Sequence, residues 1–451
     1  MEIIIIGCGK VGNTLAEELT AEHHNVTVID QSASRLQDRC EDLDVKQVVG
    51  NGSSIATLTS AGVAHADVLI AVTNSDELNL LCCLVAKNLG NCHTVARVRN
   101  PIYNKEVDLI QKSLGISMII NPELTAANAI ARLLRFPSAI KIDTFAKGKI
   151  ELLKFRIQPE FRLDGCSIVE LTSRIKCEWL ICGVERGEAA YIPNGDFRLH
   201  DGDLVSIMAT PTNAAAFFKT IGLTTNQVKN CMIVGGATTA VYLARQLLDM
   251  RIRVTIIEQS RERCDELAEL FPEANIIHGD GTTKQLLMEE GLQNAESFVS
   301  LTNLDEENIL MSLFAAKNSS AKVVTKINRM SFMDVVDDFD LGSIIHPKYI
   351  TSDTILQYTR ATQNSIGSNV ETLYHILDNK AEALEFSIKE NSPVIGIALK
   401  DLKLKNNLLI CSINREGKVI IPRGSDSLQV GDSVVIVSTQ RLLRDISDIL
   451  A

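Results

Sequence analysis

Near the start of the chain, Gly7-Cys8-Gly9-Lys10-Val11-Gly12 sets three glycines at G-x-G-x-x-G spacing. The first glycine permits a tight turn and the second lets a pyrophosphate approach the backbone. The third lets a helix pack close to the preceding strand. Asp30 lies 23 residues after Gly7, closing the apolar run 26–29. A carboxylate there can accept hydrogen bonds from ribose hydroxyls. This pattern predicts a nucleotide site, with residues 7–12 around the phosphates and Asp30 on the sugar. A carboxylate repels a 2′-phosphate, so NAD(H) is favoured over NADP(H). ATP and ADP present the same adenosine ribose and remain open. The plainer alternative is a glycine turn beside a solvated aspartate.

Three further residues belong to the same edge. Thr73 and Asn74 close the apolar run 68–72, at the carboxyl end of a predicted strand, where ligands of open α/β sheets lie. They either touch the nucleotide or begin the next helix, with Asn74 or Ser75 as N-cap and Asp76 and Glu77 in its first turn. Arg97, on the next predicted strand, either neutralises a phosphate or sits as an ordinary surface cation.

These residues recur. Gly7 and Gly235 are 228 positions apart, Asp30 and Glu258 share that offset, and 73–79 (TNSDELN) matches 302–308 (TNLDEEN) at 229. The tail Ile192-Pro193-x-Gly195 with Gly202-Asp203 returns as Ile421-Pro422-x-Gly424 with Gly431-Asp432. Such a period is too long for a solenoid and marks a duplicated two-part unit. In the second copy Ala237 replaces Gly9, Ala240 replaces Gly12, and Lys326 replaces Arg97. Gly235, Gly236, Glu258, Asp280 (where the first copy has Asn51), Thr302 and Asn303 are its candidate residues. That copy either binds a nucleotide or only preserves the fold.

Short β-branched runs alternate with helical patterns in 1–122 and again in 228–347, which predicts parallel sheets covered on both faces. Each is followed by a helix-like bridge (123–140 and 348–369) and a stretch of short strands with Gly-Asp turns (141–226 and 370–451). The expected fold is α/β: two Rossmann-like, doubly wound parallel-sheet domains, each followed by a small α+β module. A length of 451 residues fits four domains at roughly 100–200 residues each.

A net charge of −11 argues against sequence-independent nucleic-acid binding. No apolar run nears the roughly 20 residues of a membrane span. Eleven cysteines at irregular spacing, without a C-x-x-C pair, suit a reducing cytosol better than a disulfide framework or a metal ribbon. Cys82-Cys83 reads as core filling and His23-His24 as a solvated helix end, so no metal site is expected. None of the eight histidines sits in an acid–base constellation. No catalytic residue is assigned, and a NAD-dependent oxidoreductase with an unrecognised substrate site is the rival reading.

IIIIGCGKVG with Asp30, TNSDELN, ARVR at 96–99 and the two IPxG…GD tails resemble the peripheral regulatory subunits of Trk-type potassium uptake systems, built from tandem RCK domains. The resemblance spans essentially the whole chain. It implies a cytoplasmic, non-enzymatic protein that binds NAD(H) and adenine nucleotides. It also implies a ring, a dimer of dimers, on the cytoplasmic face of the inner membrane beneath a potassium-translocating partner (TrkH/TrkG-like). The nucleotide contacts it implies here are Gly7 to Val11, Asp30, Thr73, Asn74 and Arg97.

Overall fold

The computed structural model describes residues 1–104, 106–187, 189–222, 227–328, 341–365, 370–377, 380–390, 392–439, 443 and 445–451. The chain divides into two compact units, Met1–Ala131 with Lys229–Leu356, and Arg132–Val228 with Gln357–Ala451. Among the described residues, no helix is long and apolar enough to cross a membrane.

The first unit holds two six-stranded parallel sheets. In the first half β1 (Glu2–Ile6), α1 (Lys10–Ala21), β2 (Asn25–Asp30), α2 (Ala33–Cys40), β3 (Val45–Val49) and α3 (Ile55–Ala61) lead into β4 (Val68–Ala71). Then come α4 (Asp76–Leu89), β5 (His93–Arg97), α5 (Pro101–Asn104), α6 (Val107–Leu114), β6 (Met118–Ile120) and α7 (Pro122–Arg135). The strand order is β3-β2-β1-β4-β5-β6, so the order reverses between β1 and β4, and the crevice for a ligand opens there. Ile6 pairs with Ile29 on one side and Ala71 on the other, which brings the glycine turn, Asp30 and Thr73 to one sheet edge.

Ile3 to Ile6 are all buried, as a central parallel strand covered on both faces requires. Ile4 and Ile6 join Leu58, Leu69, Cys82, Cys83 and Ala86 in one core cluster, so Cys82-Cys83 is core filling. Burying each isoleucine contributes about 1.5–3 kcal/mol. Helix α1 carries Val11, Leu15 and Leu19 on its buried face, the spacing of an amphipathic helix. His24 departs from expectation: it is buried, 3.4 Å from the Met1 amino group.

The second half repeats the plan with β12 (Asn230–Val234), α10 (Thr238–Asp249), β13 (Arg253–Glu258), α11 (Arg261–Leu270), β14 (Asn275–His278), α12 (Lys284–Glu289), β15 (Ser297–Ser300), α13 (Asp305–Asn318), β16 (Lys322–Lys326) and β17 (Ser343–Ile345). The order is β14-β13-β12-β15-β16-β17. The helix Pro347–Ser365 follows. The two halves meet within this unit: Tyr242 Oη donates to Arg99 O (3.0 Å), Asn121 Nδ2 to Tyr242 Oη (2.9 Å) and Gln246 Nε2 to Asn128 Oδ1 (2.7 Å).

The second unit holds two five-stranded antiparallel sheets. One comprises β7 (Lys141–Phe145), β8 (Ile150–Arg156), β9 (Leu180–Arg186), β10 (Ala189–Tyr191) and β11 (Leu204–Ala209), with α8 (Ile168–Arg174) and α9 (Pro211–Thr220) beside them. The other comprises β18 (Val370–Ile376), β19 (Ala381–Ser387), β20 (Leu408–Arg415), β21 (Lys418–Ile420) and β22 (Ser433–Ser438). They share a core in which Phe145, Cys182 and Met208 meet Leu377, Cys411 and Val435.

The Gly-Asp tails of the sequence now have a reason. Gly202 and Gly431 take φ of 87° and 86°, and the buried Asp203 and Asp432 each receive two 2.8 Å bonds from one guanidinium, Arg186 and Arg415.

Candidate functional site

The three glycines of the first crevice do different work. Gly7 has φ +103°, and a Cβ there would lie 3.1 Å from Thr73 N. A Cβ on Gly12 would fall 1.9 Å from Gly7 O, so the helix can pack on the turn only without a side chain. Gly9 differs: its φ of −74° suits any residue, and a Cβ would meet no atom of the described residues within 4 Å. The fold does not demand glycine at position 9; its absent side chain leaves open volume in front of α1. Among the described residues no side chain caps that helix, so its first-turn N–H groups are oriented for an anion.

Asp30 is buried, and its carboxylate clamps this loop. Oδ2 accepts the Cys8 N–H (2.8 Å), Oδ1 accepts the Ser32 N–H (2.9 Å), and Arg35 Nη1 reaches both oxygens at 3.1 and 3.2 Å. Burial works against ionisation, but the Ser32 and Cys8 amides and the Arg35 guanidinium outweigh it and hold the carboxyl below its ordinary value. Arg35 is a site residue beyond the glycine–carboxylate pattern; an Arg five residues past the aspartate, on the following helix, is the sequence signal that marks it. Arg39 Nη1 completes the clamp by donating to Cys8 O (3.1 Å).

The second copy keeps the clamp with different residues. Glu258 Oε2 accepts the Gly236 N–H (2.7 Å) and Oε1 the Ser260 N–H (2.8 Å), while Arg263 Nε donates to Gly236 O (2.8 Å). A Cβ on Gly236 would sit 2.6 Å from Leu267 Cδ1 and 3.0 Å from Glu258 Oε2. The longer carboxylate and the missing side chain are matched changes, Cys8 with Asp30 and Gly236 with Glu258. Ala237 has the backbone of Gly9, φ −69° against −74°, and its methyl occupies the volume that Gly9 leaves open. Ala240 is buried at the position of Gly12.

Thr73 and Asn74 lie just past β4, in the turn before α4. The N-cap is Ser75, whose Oγ accepts the Leu78 N–H (3.1 Å). Thr73 is held by Asn79 and by Arg97, whose Nη2 donates to Thr73 O (2.6 Å). Asn74 is exposed, and its carbonyl accepts from Arg99 Nη2 (2.7 Å). Arg97 is not a surface cation. It is 8% exposed and, among the described residues, its Nε has no hydrogen-bond partner; burial, then Arg99, lowers its pKa.

Thr302 repeats the Thr73 arrangement with Asn308, Asn303 is exposed, and Lys326 Nζ donates to Leu301 O (3.1 Å). Asp280 closes a turn on Thr282, its Oδ1 accepting both the N–H (2.9 Å) and the hydroxyl (2.8 Å). Asn51 does the same for Ser53 in the first half. The structure thus gives Asp280 a local, turn-forming role.

Glu123, at the start of α7, belongs in sequence to the first bridge. Among the described residues its buried Oε2 has no hydrogen-bond partner, and burial raises its pKa against the opposing pull of Arg99 and Arg97.

A TrkA-N domain model matches residues 3–122 and 231–347, and a TrkA-C domain model matches 152–222 and 383–451. The Trk system potassium uptake protein TrkA of Halomonas elongata is 32% identical over 450 residues, covering 99% of this chain and 98% of that one. The TrkA homolog 1 of Methanosarcina mazei is 31% identical over 447 residues, 97% of each. Among solved structures, the GsuK channel bound to NAD shares the fold with a TM-score of 0.63 at 18% identity, covering 97% of this chain and 76% of that one. With both domain models matched in duplicate and relatives aligned end to end, the chain belongs to the TrkA family of Trk potassium uptake proteins.

Proposed function

We propose that this chain is the nucleotide-sensing regulatory subunit of a potassium uptake system, binding NAD(H), and ADP or ATP as competitors, in the first crevice. The observation that carries this reading is the open volume at Gly9, in front of an uncapped helix start and beside the Asp30 clamp. The N–H groups of residues 9–12 would hold the diphosphate. Asp30 would take the ribose alongside the loop amides it already accepts, and Thr73 and Asn74 would line the far wall. The dinucleotide needs to bring no reaction, since occupancy itself is the signal.

Asp30, Asp76, Arg97 and Arg99 are each tied to main-chain groups, which supports a receptor rather than a catalyst. The TrkA name of the relatives supports a membrane-embedded potassium-translocating partner, with this chain as a homotetrameric ring on the membrane's cytoplasmic face. Segments 123–140 and 348–369 would bridge the Rossmann domains to the modules 141–226 and 370–451, and the second crevice would bind more weakly. A ligand shifts such an assembly only by its differential affinity for two states, typically about 1–3 kcal/mol. The test pairs calorimetry with potassium flux in vesicles holding the co-purified partner. Asp30→Ala should lose nucleotide binding and nucleotide-dependent flux together. Flux that still responds normally after binding is lost refutes the proposal.

A further inference from the structure

Cys8 sits between the first two glycines of the loop, and its Sγ lies 3.5 Å from Cys40 Sγ at the end of α2. Both thiols are buried, at 0% and 1% exposure. The second half has Gly236 and Ala268 at these positions, so the pair belongs to the first crevice alone. We propose that Cys8 and Cys40 form a modification site, which a peroxide oxidises to a disulfide that ties the phosphate loop to α2 and lowers nucleotide affinity. The effect on affinity rests on the nucleotide reading above; the thiol chemistry does not.

The reaction balances in two steps. One sulfur, as thiolate, attacks a peroxide oxygen; an S–O bond forms, the O–O bond breaks, and water leaves from hydrogen peroxide. The second sulfur displaces the hydroxyl of that sulfenic acid; the S–S bond forms, the S–O bond breaks, and a second water leaves. The two thiols lose two electrons and two protons, and hydrogen peroxide becomes two waters.

A disulfide needs about 2.05 Å between sulfurs, so the pair must close by roughly 1.5 Å. Helix α2 is anchored by its Ser32 cap and the Arg35–Asp30 pair. The loop is held at Cys8 by Asp30 and Arg39 and has open space at Gly9, so closing the pair pulls on those two bonds. That motion acts on the Cys8 N–H bond to Asp30, and hence on the amides that would face the phosphates. Burial, then the neighbouring Cys40 thiol, pushes the Cys8 thiol up to about 12. Oxidation therefore runs through transient opening of the loop, and a ligand that holds the loop closed slows it.

The full-length protein is treated with hydrogen peroxide, digested without reductant and analysed by mass spectrometry, with NAD affinity measured on the same samples. The expected result is a Cys8–Cys40 linked peptide, slower to appear with NAD present, and about a tenfold fall in affinity that a dithiol reverses. Cys40→Ser keeps the parent's affinity in the reduced state and should be insensitive to peroxide. Cys8→Ser checks the link from the other side. Absence of the linked peptide, or its full formation with unchanged affinity, overturns the proposal. A reduced chain that binds no nucleotide refutes the nucleotide reading and the affinity claim, while the linked peptide still decides the chemistry.

Discussion

Asn79 Oδ1 accepts both the main-chain N–H of Thr73 (2.8 Å) and its hydroxyl (2.7 Å), and Asn308 does the same for Thr302 at 3.0 and 2.8 Å. The other end of each amide donates to a carbonyl of the neighbouring strand, Arg97 O at 2.9 Å and Lys326 O at 3.0 Å. Both asparagines are fully buried. One side chain thus pins the crevice edge to the sheet in each half, and the last letter of TNSDELN is explained by what lies before it.

Asn79→Ala strands the buried Arg97 carbonyl, at about 1–3 kcal/mol, and the half-buried Thr73 N–H at less. The variant should unfold at a clearly lower temperature and bind NAD more weakly than the parent, and Asn308→Ala should show the same loss of stability. Unchanged melting with binding lost would make Asn79 a ligand contact instead.

The glycines separate experimentally. Gly12→Ala drives a methyl into Gly7 O and should destabilise the fold along with the site. Gly9→Ala has an ordinary backbone and free space; alanine's smaller unfolded-state entropy, about 0.4–1 kcal/mol, offsets its poorer standing at an N-cap, so stability should stay near the parent's. Its NAD affinity should still fall, by about tenfold or ~1.4 kcal/mol. Thermal melts and calorimetry on both variants decide this. A Gly9→Ala protein that binds at parental affinity means the phosphates lie elsewhere.

The duplication, the parallel sheets and the glycine–carboxylate pair were legible because each depends on local spacing: Gly7 to Gly12, Asp30 after the 26–29 run, 73–79 against 302–308. Partnerships made across the fold were not legible. Ser32 and Arg35 lie within five residues of Asp30, but nothing local says that Asp30 also spends an oxygen on Cys8, or that Arg97 turns inward to Thr73. The buried Asp203 was readable as a turn residue, but its Arg186 partner comes from another strand. Glu123 looked like any helix-start carboxylate because its burial follows from tertiary packing. Asp280 was legible as a crevice candidate from its match to Asn51, but its Asx turn leaves no trace beyond one Thr two positions on.

Asp30 gives the fold an acid limit with a definite sign. Its folded pKa is lowered, so the stability it contributes is present above the free-aspartate value, about 3.9, and is lost as pH falls through the folded value. Asp30→Asn should be less stable than the parent at neutral pH, with the gap closing below about pH 3.9. Melting curves across that range check it. A gap that persists in strong acid would assign the loss to packing rather than charge.

Glu123 has the opposite sign. Burial raises its pKa in the fold, so its ionised form costs stability at neutral pH, and the cost vanishes as the group is protonated on acidification. Glu123→Gln should therefore melt at or above the parent at pH 7 and coincide with it below the free-glutamate value of about 4.3. A variant clearly weaker at pH 7 would show that attraction to Arg97 and Arg99 outweighs burial.

Ala237 is the residue on which the two crevices differ most simply. The second clamp is intact: Glu258 holds the Gly236 amide at 2.7 Å, as Asp30 holds Cys8 at 2.8 Å. Ala237→Gly removes only the methyl that fills the volume left open by Gly9. Helix-start glycine costs little at an N-cap position, so the fold should tolerate it. In calorimetry the parent should show one strong NAD site per chain, and Ala237→Gly should bring a second site into range, about tenfold tighter than before. If the second site is equally strong in the parent, the methyl is no obstacle and the pyrophosphate approaches α10 from another side. If it stays silent in the variant, the block lies beyond Ala237, and Ala240, buried where the first half has Gly12, becomes the next position to change.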